Sequence, residues 1–315
     1  MSGTSRFGLI GVLMGGYSSE REISLRSGHG VVAALAKAGH QVMPIDIIVE
    51  DKPKIAEQIR QAGIDVAFIA LHGRLGEDGV IQSMLEEMGI VYTGAGVQAS
   101  QKAFNKVITQ RVLKAKGFFV PDHVSITDGR VLDFKEVFAV LKKLPFVVKA
   151  ACEGSSIGIT IVRHPSEWEG ALKDALFFGP QVIIEKFIKG MELTVGVLKG
   201  EPLSVVEIRT RAAFFDFTAK YQQGFTDYVV PAQIPADLTA HIQKTALAAC
   251  DALGCESFAR VDIRLDENNI PYILEINTVP GFTETSLFPK AAGQAGYSFV
   301  DVCEQLLDMA YGKKI

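Results

Sequence analysis

Two carboxylates, an amide and two guanidinium groups crowd one short ribbon of this chain. The segment "RVDIRLDENNIPYILEINTVPG", residues 260–281, alternates apolar and polar positions on either side of Asp-Glu-Asn-Asn, the pattern of a β-hairpin. Side chains alternate faces along a strand, so Arg260, Asp262 and Arg264 share one side and Glu275 and Asn277 one side of the partner strand. A two-residue loop at Asn268-Asn269, which tolerates the positive φ such turns need, sets Asp262 opposite Glu275. A four-residue loop shifts the pairing but keeps these groups on one face. Val261, Ile263, Leu265, Leu274 and Ile276 then turn toward a core. Facing carboxylates repel unless a cation lies between them. Two carboxylates with an amide oxygen are hard ligands that suit Mg²⁺ or Mn²⁺ and not zinc. The same pattern also suits a solvent-facing sheet whose acids pair with Arg260 and Arg264.

Other stretches carry phosphate chemistry. "FVVKAACEGSSIGI" roots Lys149 at the end of an apolar strand and follows it with Gly154, Ser155, Ser156 and Gly158, a loop of N–H and hydroxyl donors able to close over polyphosphate. It is not a Walker A loop, and a surface turn with one exposed lysine is the bland alternative. "IIEKFIKGMELT" reads as a connector between two blocks, where backbone groups could meet a purine edge and Glu192 a ribose hydroxyl; plain linker charges, Glu185 among them, are its alternative. Lys106 reads as a solvated helix lysine, Lys220 as a loop lysine, and Tyr221 as either a packing aromatic or part of a lid. Glu20 and His72 each follow an apolar strand, where a small substrate could be held.

These residues need elements to position them. Through the first hundred residues, Val- and Ile-rich strands alternate with amphipathic helices: "FGLIGVLMGG", "EISLRSGHGVVAALAKAG", "HQVMPIDI", "KIAEQIRQAG", "IDVAFIAL", "GVIQSMLEEMG" and "IVYTG". That order specifies βαβ units and a parallel sheet, with function at the carboxyl ends of strands. A second block opens with a continuous helix over "SQKAFNKVITQRVLKAKG", followed by strands and helices that include one started by a Ser166–Glu169 capping box. A third block holds two strands, "ELTVGVLKG" and "PLSVVEIRT", the aperiodic "RAAFFDFTAKYQQGFTDY", a long helix, the hairpin and a closing helix.

The 315 residues exceed one small core and point to two or three domains; 48% hydrophobic and 22% charged residues are an ordinary globular balance. A net charge of −4, with no long run of either sign, gives no case for nucleic acid or an anionic membrane. The N-terminal apolar run is short and broken by glycines, so it reads as a buried strand and not a signal peptide, and no stretch approaches a membrane span. Cys152, Cys250, Cys255 and Cys303 lack CxxC spacing and read as reduced thiols of a cytoplasmic protein.

Taken together, "GGYSSEREISLRSG", "ALHGRLGEDGVIQSMLEEMGIVYTG", "VVKAACEGSSIGI", "IIEKFIKGMELT", "FDFTAKY", "ARVDIRL", "LEINTVPGFTETSLFP" and "AAGQAGYSF" resemble the D-alanine–D-alanine ligases of the ATP-grasp superfamily, nearly end to end. The resemblance implies an α/β ATP-grasp fold with an α+β C-terminal part and three domains. These are an N-terminal Rossmann-like substrate domain at 1–100, a central ATP-grasp subdomain at 101–190, and a C-terminal domain with metal and acceptor sites at 191–315. It implies ATP held between the last two, with Lys106 and Lys149 on the phosphates and Lys220 on the γ-phosphate. Glu185, Lys186 and Ile188 would meet the adenine and Glu192 the ribose. Two Mg²⁺ or Mn²⁺ ions would sit on Asp262, Glu275 and Asn277. Glu20 would hold the ammonium of the first D-alanine beside His72, and Ser286 with the Leu287 N–H the carboxylate of the second. Arg260 and the Gly281 N–H would form an oxyanion hole, and Glu20, Ser155 and Tyr221 a hydrogen-bonded set tying a lid to the first domain. A cytoplasmic homodimer making a peptidoglycan precursor is implied too. Ala150, Cys152, Val279 and the Phe-rich "AAFFDF" depart from the usual pattern without touching a named role. D-Lactate or D-serine as acceptor, or ATP binding without ligation, are the rival readings; Tyr221 argues against D-lactate.

Overall fold

A computed structural model describes residues 6–127, 130, 132–210, 226–255, 258–283 and 286–312. The first block is the expected parallel sheet: β1 (Leu9–Gly15), β2 (Gln41–Ile47), β3 (Val66–Ile69) and β4 (Val91–Tyr92), in the order β2-β1-β3-β4. Helices α1 (Arg21–Lys37), α2 (Lys52–Ala62) and α3 (Val80–Glu87) connect them. β1 and β3 are buried almost throughout, as their unbroken apolar runs require. β2 is an edge strand and tolerates Pro44 and exposed positions. Strand order reverses between β1 and β3, so the loops leaving them diverge and open a crevice at their carboxyl ends.

The second block begins with two helices, α4 (Val97–Phe104) and α5 (Lys106–Ala115), where the sequence pattern predicts one. Asn105 breaks the run: its backbone is extended, and its side chain accepts from the N–H groups of Val107 and Ile108. That is an N-cap, and it outcompetes helix continuation because it satisfies donors the second helix would otherwise leave unpaired. An antiparallel sheet follows, in the order β5-β8-β6-β7, from β5 (His123–Ile126), β6 (Phe146–Ala150), β7 (Ile159–Val162) and β8 (Val182–Lys186). Helices α6 (Phe134–Leu141) and α7 (Trp168–Phe177) pack on it. The expected Ser166–Glu169 box is displaced two residues. Instead His164 and Glu167 cap a 3₁₀ turn over Pro165–Glu167, because the Pro165 ring preorganises the first turn one residue after His164.

The third sheet is antiparallel, β12-β11-β9-β13-β14, with β10 paired to β9. Its strands are β9 (Gly190–Leu198), β10 (Glu201–Pro202), β11 (Val206–Thr210), β12 (Thr226–Val229), β13 (Phe258–Asp266) and β14 (Pro271–Asn277). Helix α8 (Ala236–Leu253) covers one face, while α9 (Leu287–Gln294) and α10 (Phe299–Gly312) follow the hairpin. α10 packs back on the first sheet, so residues of β1, β3 and α10 share one core.

The hairpin differs from expectation in one instructive way. Asp262 pairs with Glu275 as predicted, but the register then slips, so that Ile263 meets Ile273 and Leu265 meets Pro271. The loop is three residues, closed by bonds of 3.1 Å from Asp266 N–H to Ile270 O and from Asn269 N–H to Asp266 O. Asn269 takes the left-handed conformation at φ 60°. A shorter strand arm and a β-bulge offset each other. The cost falls on Leu274. It was expected in the core, but the bulge sends Ile273 there, fully buried, and leaves Leu274 on the cleft face.

Candidate active site

Two cavities that share Glu275 in their walls gather most of the residues singled out in the sequence. The first, of about 210 Å³, lies at the carboxyl ends of β1 and β3 where they meet the end of the hairpin. Its wall includes Glu20, His72, Lys106 and Ser155 from the first two blocks. Arg260, Glu275, Asn277, Gly281, Ser286 and Leu287 come from the third. The second, a narrow cleft between the two antiparallel sheets, is lined by Lys149, Glu185, Lys186 and Ile188 on one side and Glu192, Asp262 and Glu275 on the other. Glu275 lines both. Lys220 and Tyr221 lie outside the described residues.

Glu20 sits at the start of α1, 6% exposed. The Ser155 hydroxyl donates a short bond to its Oε1, joining the glycine loop of the second block to the first sheet. Among the described residues, Glu20 Oε2 is buried with no hydrogen-bond partner. Gly154 makes room for it: a Cβ there would lie 2.4 Å from that oxygen. A buried carboxylate oxygen in a cavity wall is costly unless a cation or donor reaches it.

His72 is fixed by protein on both ring nitrogens. Nδ1 lies 3.0 Å from the Val279 carbonyl, which can only accept, so Nδ1 carries the proton; Nε2 lies 3.2 Å from Ser27 Oγ. Burial lowers its pKa, with Glu20 opposing, so the ring is neutral. It thus pins the Val279–Gly281 loop to the first sheet. Phe282 completes the anchorage, buried with ring centroids 5.7 Å from Phe68 and 5.9 Å from Phe258. Burying such a ring contributes ~2–3 kcal/mol, enough to hold the adjacent Gly281 N–H in place. Ser286 is N-cap of α9, its Oγ accepting from Thr283 N–H at 3.0 Å, and the Leu287 N–H opens that helix.

The acidic face of the hairpin is already neutralised by cations. Arg260 grips Asp262 with two bonds of 2.8 and 2.7 Å, while Thr194 Oγ1 (2.6 Å) and Asn277 Nδ2 (3.1 Å) donate to the same carboxylate. Lys106 Nζ lies 3.1 Å from Glu275 and donates to Glu153 O at 2.6 Å. The break at Asn105 makes this possible: the helix restarts at Lys106, whose N–H bonds Ala151 O, and its side chain is buried and not solvated. Burial alone would lower the Lys106 pKa, but Glu275 outweighs it and the net shift is upward. In the cleft Lys149 pairs with Glu185 at 2.5 Å and Arg264 with Glu192 at 2.8 Å.

Glu77 escaped notice in the sequence, although it lies in the quoted "LHGRLGEDG" stretch. Its side chain lines the first cavity, accepts from Gly73 N–H at 2.8 Å, and is 13% exposed. Burial, then the neighbouring Glu20, pushes its pKa up to about 8. Gln110 was missed too: it reaches across to Leu274 O (2.9 Å) and Glu185 (3.4 Å), tying α5 to the hairpin and to β8. No periodicity signals either residue.

Two antiparallel sheets gripping a cleft lined by lysines and carboxylates, with a parallel sheet closing one end, define the ATP-grasp class. The family model for the C-terminus of D-ala D-ala ligases matches residues 112–308, and that for the N-terminus residues 48–95. The D-alanine–D-alanine ligase of Desulforudis audaxviator is 46% identical over 96% of this chain and 98% of its own. The solved ligase of Bacillus anthracis superposes with a TM-score of 0.86 at 36% identity, covering 96% of this chain and 97% of its own; its complex with ATP gives 0.84 at 34% over the same shares. VanG, a D-Ala:D-Ser ligase of Enterococcus faecalis, gives 0.78 at 28%, over 96% and 99%. The chain belongs to the D-alanine–D-alanine ligase family.

Proposed function

We propose that this chain joins two D-alanines at the expense of ATP, through a D-alanyl phosphate, and that the residues gathered above do the work. The carrying observation is the buried Glu20 oxygen without a partner among the described residues, which an ammonium in the first cavity satisfies. The donor's carboxylate then points toward Glu275, the residue that lines both cavities, and a γ-phosphoryl group approaches from the cleft side. The carboxylate oxygen attacks the γ-phosphorus, the bond to the bridging β-phosphate oxygen breaks and ADP leaves, giving the acyl phosphate, with Lys106, Lys149 and, outside the described residues, Lys220 offsetting phosphate charge. Glu185, Lys186 and Ile188 hold the adenine and Glu192 the ribose.

Asp262, Glu275 and Asn277 fit a magnesium or manganese pair: hard oxygens on one sheet face, whose charge Arg260 and Lys106 balance here. Bound there, the ions neutralise triphosphate and transferring oxygens. Ser286 and the Leu287 N–H, at a helix N-terminus, take the acceptor carboxylate. The acceptor's amine, its proton given up to solvent, attacks the acyl carbon; Arg260 and the Gly281 N–H stabilise the oxyanion, whose collapse breaks the acyl–oxygen bond and expels inorganic phosphate. Tyr221 joins Glu20 and Ser155 to shut out water. No helix among the described residues is long and apolar enough to cross a membrane, and the described cysteines are free thiols, which suits a cytoplasmic enzyme. We place it there as a homodimer.

The test is mass spectrometry of products from Mg·ATP with D-alanine, D-lactate and D-serine offered together. D-Alanyl-D-alanine as the main product is expected. Dominant D-alanyl-D-serine would transfer the acceptor assignment to the VanG-like reading, and ATP binding without any product would end the ligase reading.

A further inference from the structure

Arg264 has no part in the mechanism above, yet it is built into the nucleotide cleft as firmly as any residue there. It stands directly opposite Glu192 in the register of β13 with β9. Its Nη2 lies 2.8 Å from Glu192 Oε2, and the two side chains are only 15% and 14% exposed. Nη1 donates to Gly190 O at 3.0 Å, and the guanidinium carbon lies 5.8 Å from the centre of the Phe187 ring. One side chain therefore touches three points of the crossing from the second sheet to the third. Gly190 is pressed against β13 at φ 149°, where a Cβ would lie 1.9 Å from Leu265 O. The crossing strand has no room to drift there, and Arg264 meets it at both Gly190 and Glu192.

We propose that Arg264 is a positioning residue for nucleotide-sugar recognition, orienting the Glu192 carboxylate so that the site prefers ribonucleotides to 2′-deoxyribonucleotides. This rests on the reading of Glu192 as the ribose residue. An ionised carboxylate only accepts hydrogen bonds, and a ribose diol offers two O–H donors; a 2′-deoxy sugar offers one. The pairing does two things for that match. It sets a positive charge 2.8 Å from a nearly buried carboxylate, and the same guanidinium is tied by a hydrogen bond to the Gly190 carbonyl of the crossing strand. A lysine has the charge but not the planar fork, so it cannot hold both partners in the same geometry.

The experiment compares kcat/KM for ATP and 2′-deoxy-ATP in the full chain and in Glu192→Ala, Arg264→Met and the double variant. The unaltered chain is expected to favour ATP about tenfold or more, the scale of a hydrogen bond to a charged group. Glu192→Ala is expected to erase that preference. Arg264→Met is expected to raise KM for ATP about tenfold with kcat nearly unchanged, to lower the preference in step, and to add nothing to the preference in the Glu192→Ala background. If Arg264→Met fails to fold, Arg264→Gln, which keeps a donor for Gly190 O but not the ion pair, carries the same expectation. An intact preference in the Arg264 variant, with Glu192→Ala erasing it, makes Arg264 a structural residue only and overturns the proposal. An intact preference in Glu192→Ala, or none in the unaltered chain, removes the ribose reading itself and the proposal with it.

Discussion

Glu77→Gln isolates the electrostatic strain of the first cavity. Burial and the neighbouring Glu20 push the Glu77 pKa up to about 8 in the folded chain, against an ordinary value of 4.5. A carboxyl whose pKa is raised by folding binds more protons folded than unfolded between those two values. Its contribution is therefore complete below the lower value and is lost as pH rises through the upper one. The slope from one such group is at most ~1.4 kcal/mol per pH unit, so over the two units from pH 5.5 to 7.5 the ceiling is ~3 kcal/mol. Sharing of charge with Glu20 lowers the expectation below that ceiling, to about 2 kcal/mol. Glutamine keeps an oxygen for the Gly73 N–H and does not titrate. The variant is thus expected to match the parent near pH 5.5 and to be the more stable of the two by that amount at pH 7.5. Urea unfolding in EDTA, without nucleotide, reads the difference at both pH values. A gap that stays constant or narrows as pH rises would refute the account of Glu77 as a buried, protonated acid.

Asp262→Asn or Glu275→Gln is expected to abolish turnover while circular dichroism stays native; near-normal activity at millimolar magnesium would sink the metal assignment. Asn105→Ala removes the cap that starts α5 and is expected to cost about 1 kcal/mol and to raise KM for ATP, because Lys106 loses its placement; thermal melts and steady-state kinetics check both. Gly154→Ala puts a methyl 2.4 Å from Glu20 Oε2, so KM for the first D-alanine should rise far more than KM for ATP. Equal changes in the two would show that Glu20 does not hold the amino acid.

Several features were readable without coordinates because their causes are local. Alternation of apolar runs with helical periods laid out the parallel sheet through Tyr92, and chain direction put Glu20 and His72 at its carboxyl end. The period of two placed Asp262 and Glu275 on one face of a ribbon, and they do pair. The loop length was misjudged, since Asp266 organises the turn: its Oδ1 accepts from Asn268 N–H at 2.9 Å and Ile270 N–H at 2.8 Å. Helix α9 received no assignment, its eight residues carrying both Pro289 and Gly293.

What the order of residues settled by itself is therefore the family, the elements and the inventory of reactive groups, since propensity, period and motif act over a few neighbours. What only folding decided is which distant groups meet. Lys106 reads as a solvated helix residue until Asn105 ends one helix and the next carries it to Glu275, far along the chain. Glu20 gains its partner Ser155 from the loop between β6 and β7, and Glu77 its raised pKa from burial beside Glu20. Charge and solvation depend on everything within a few ångströms, and that neighbourhood exists only once the three sheets have closed on one another.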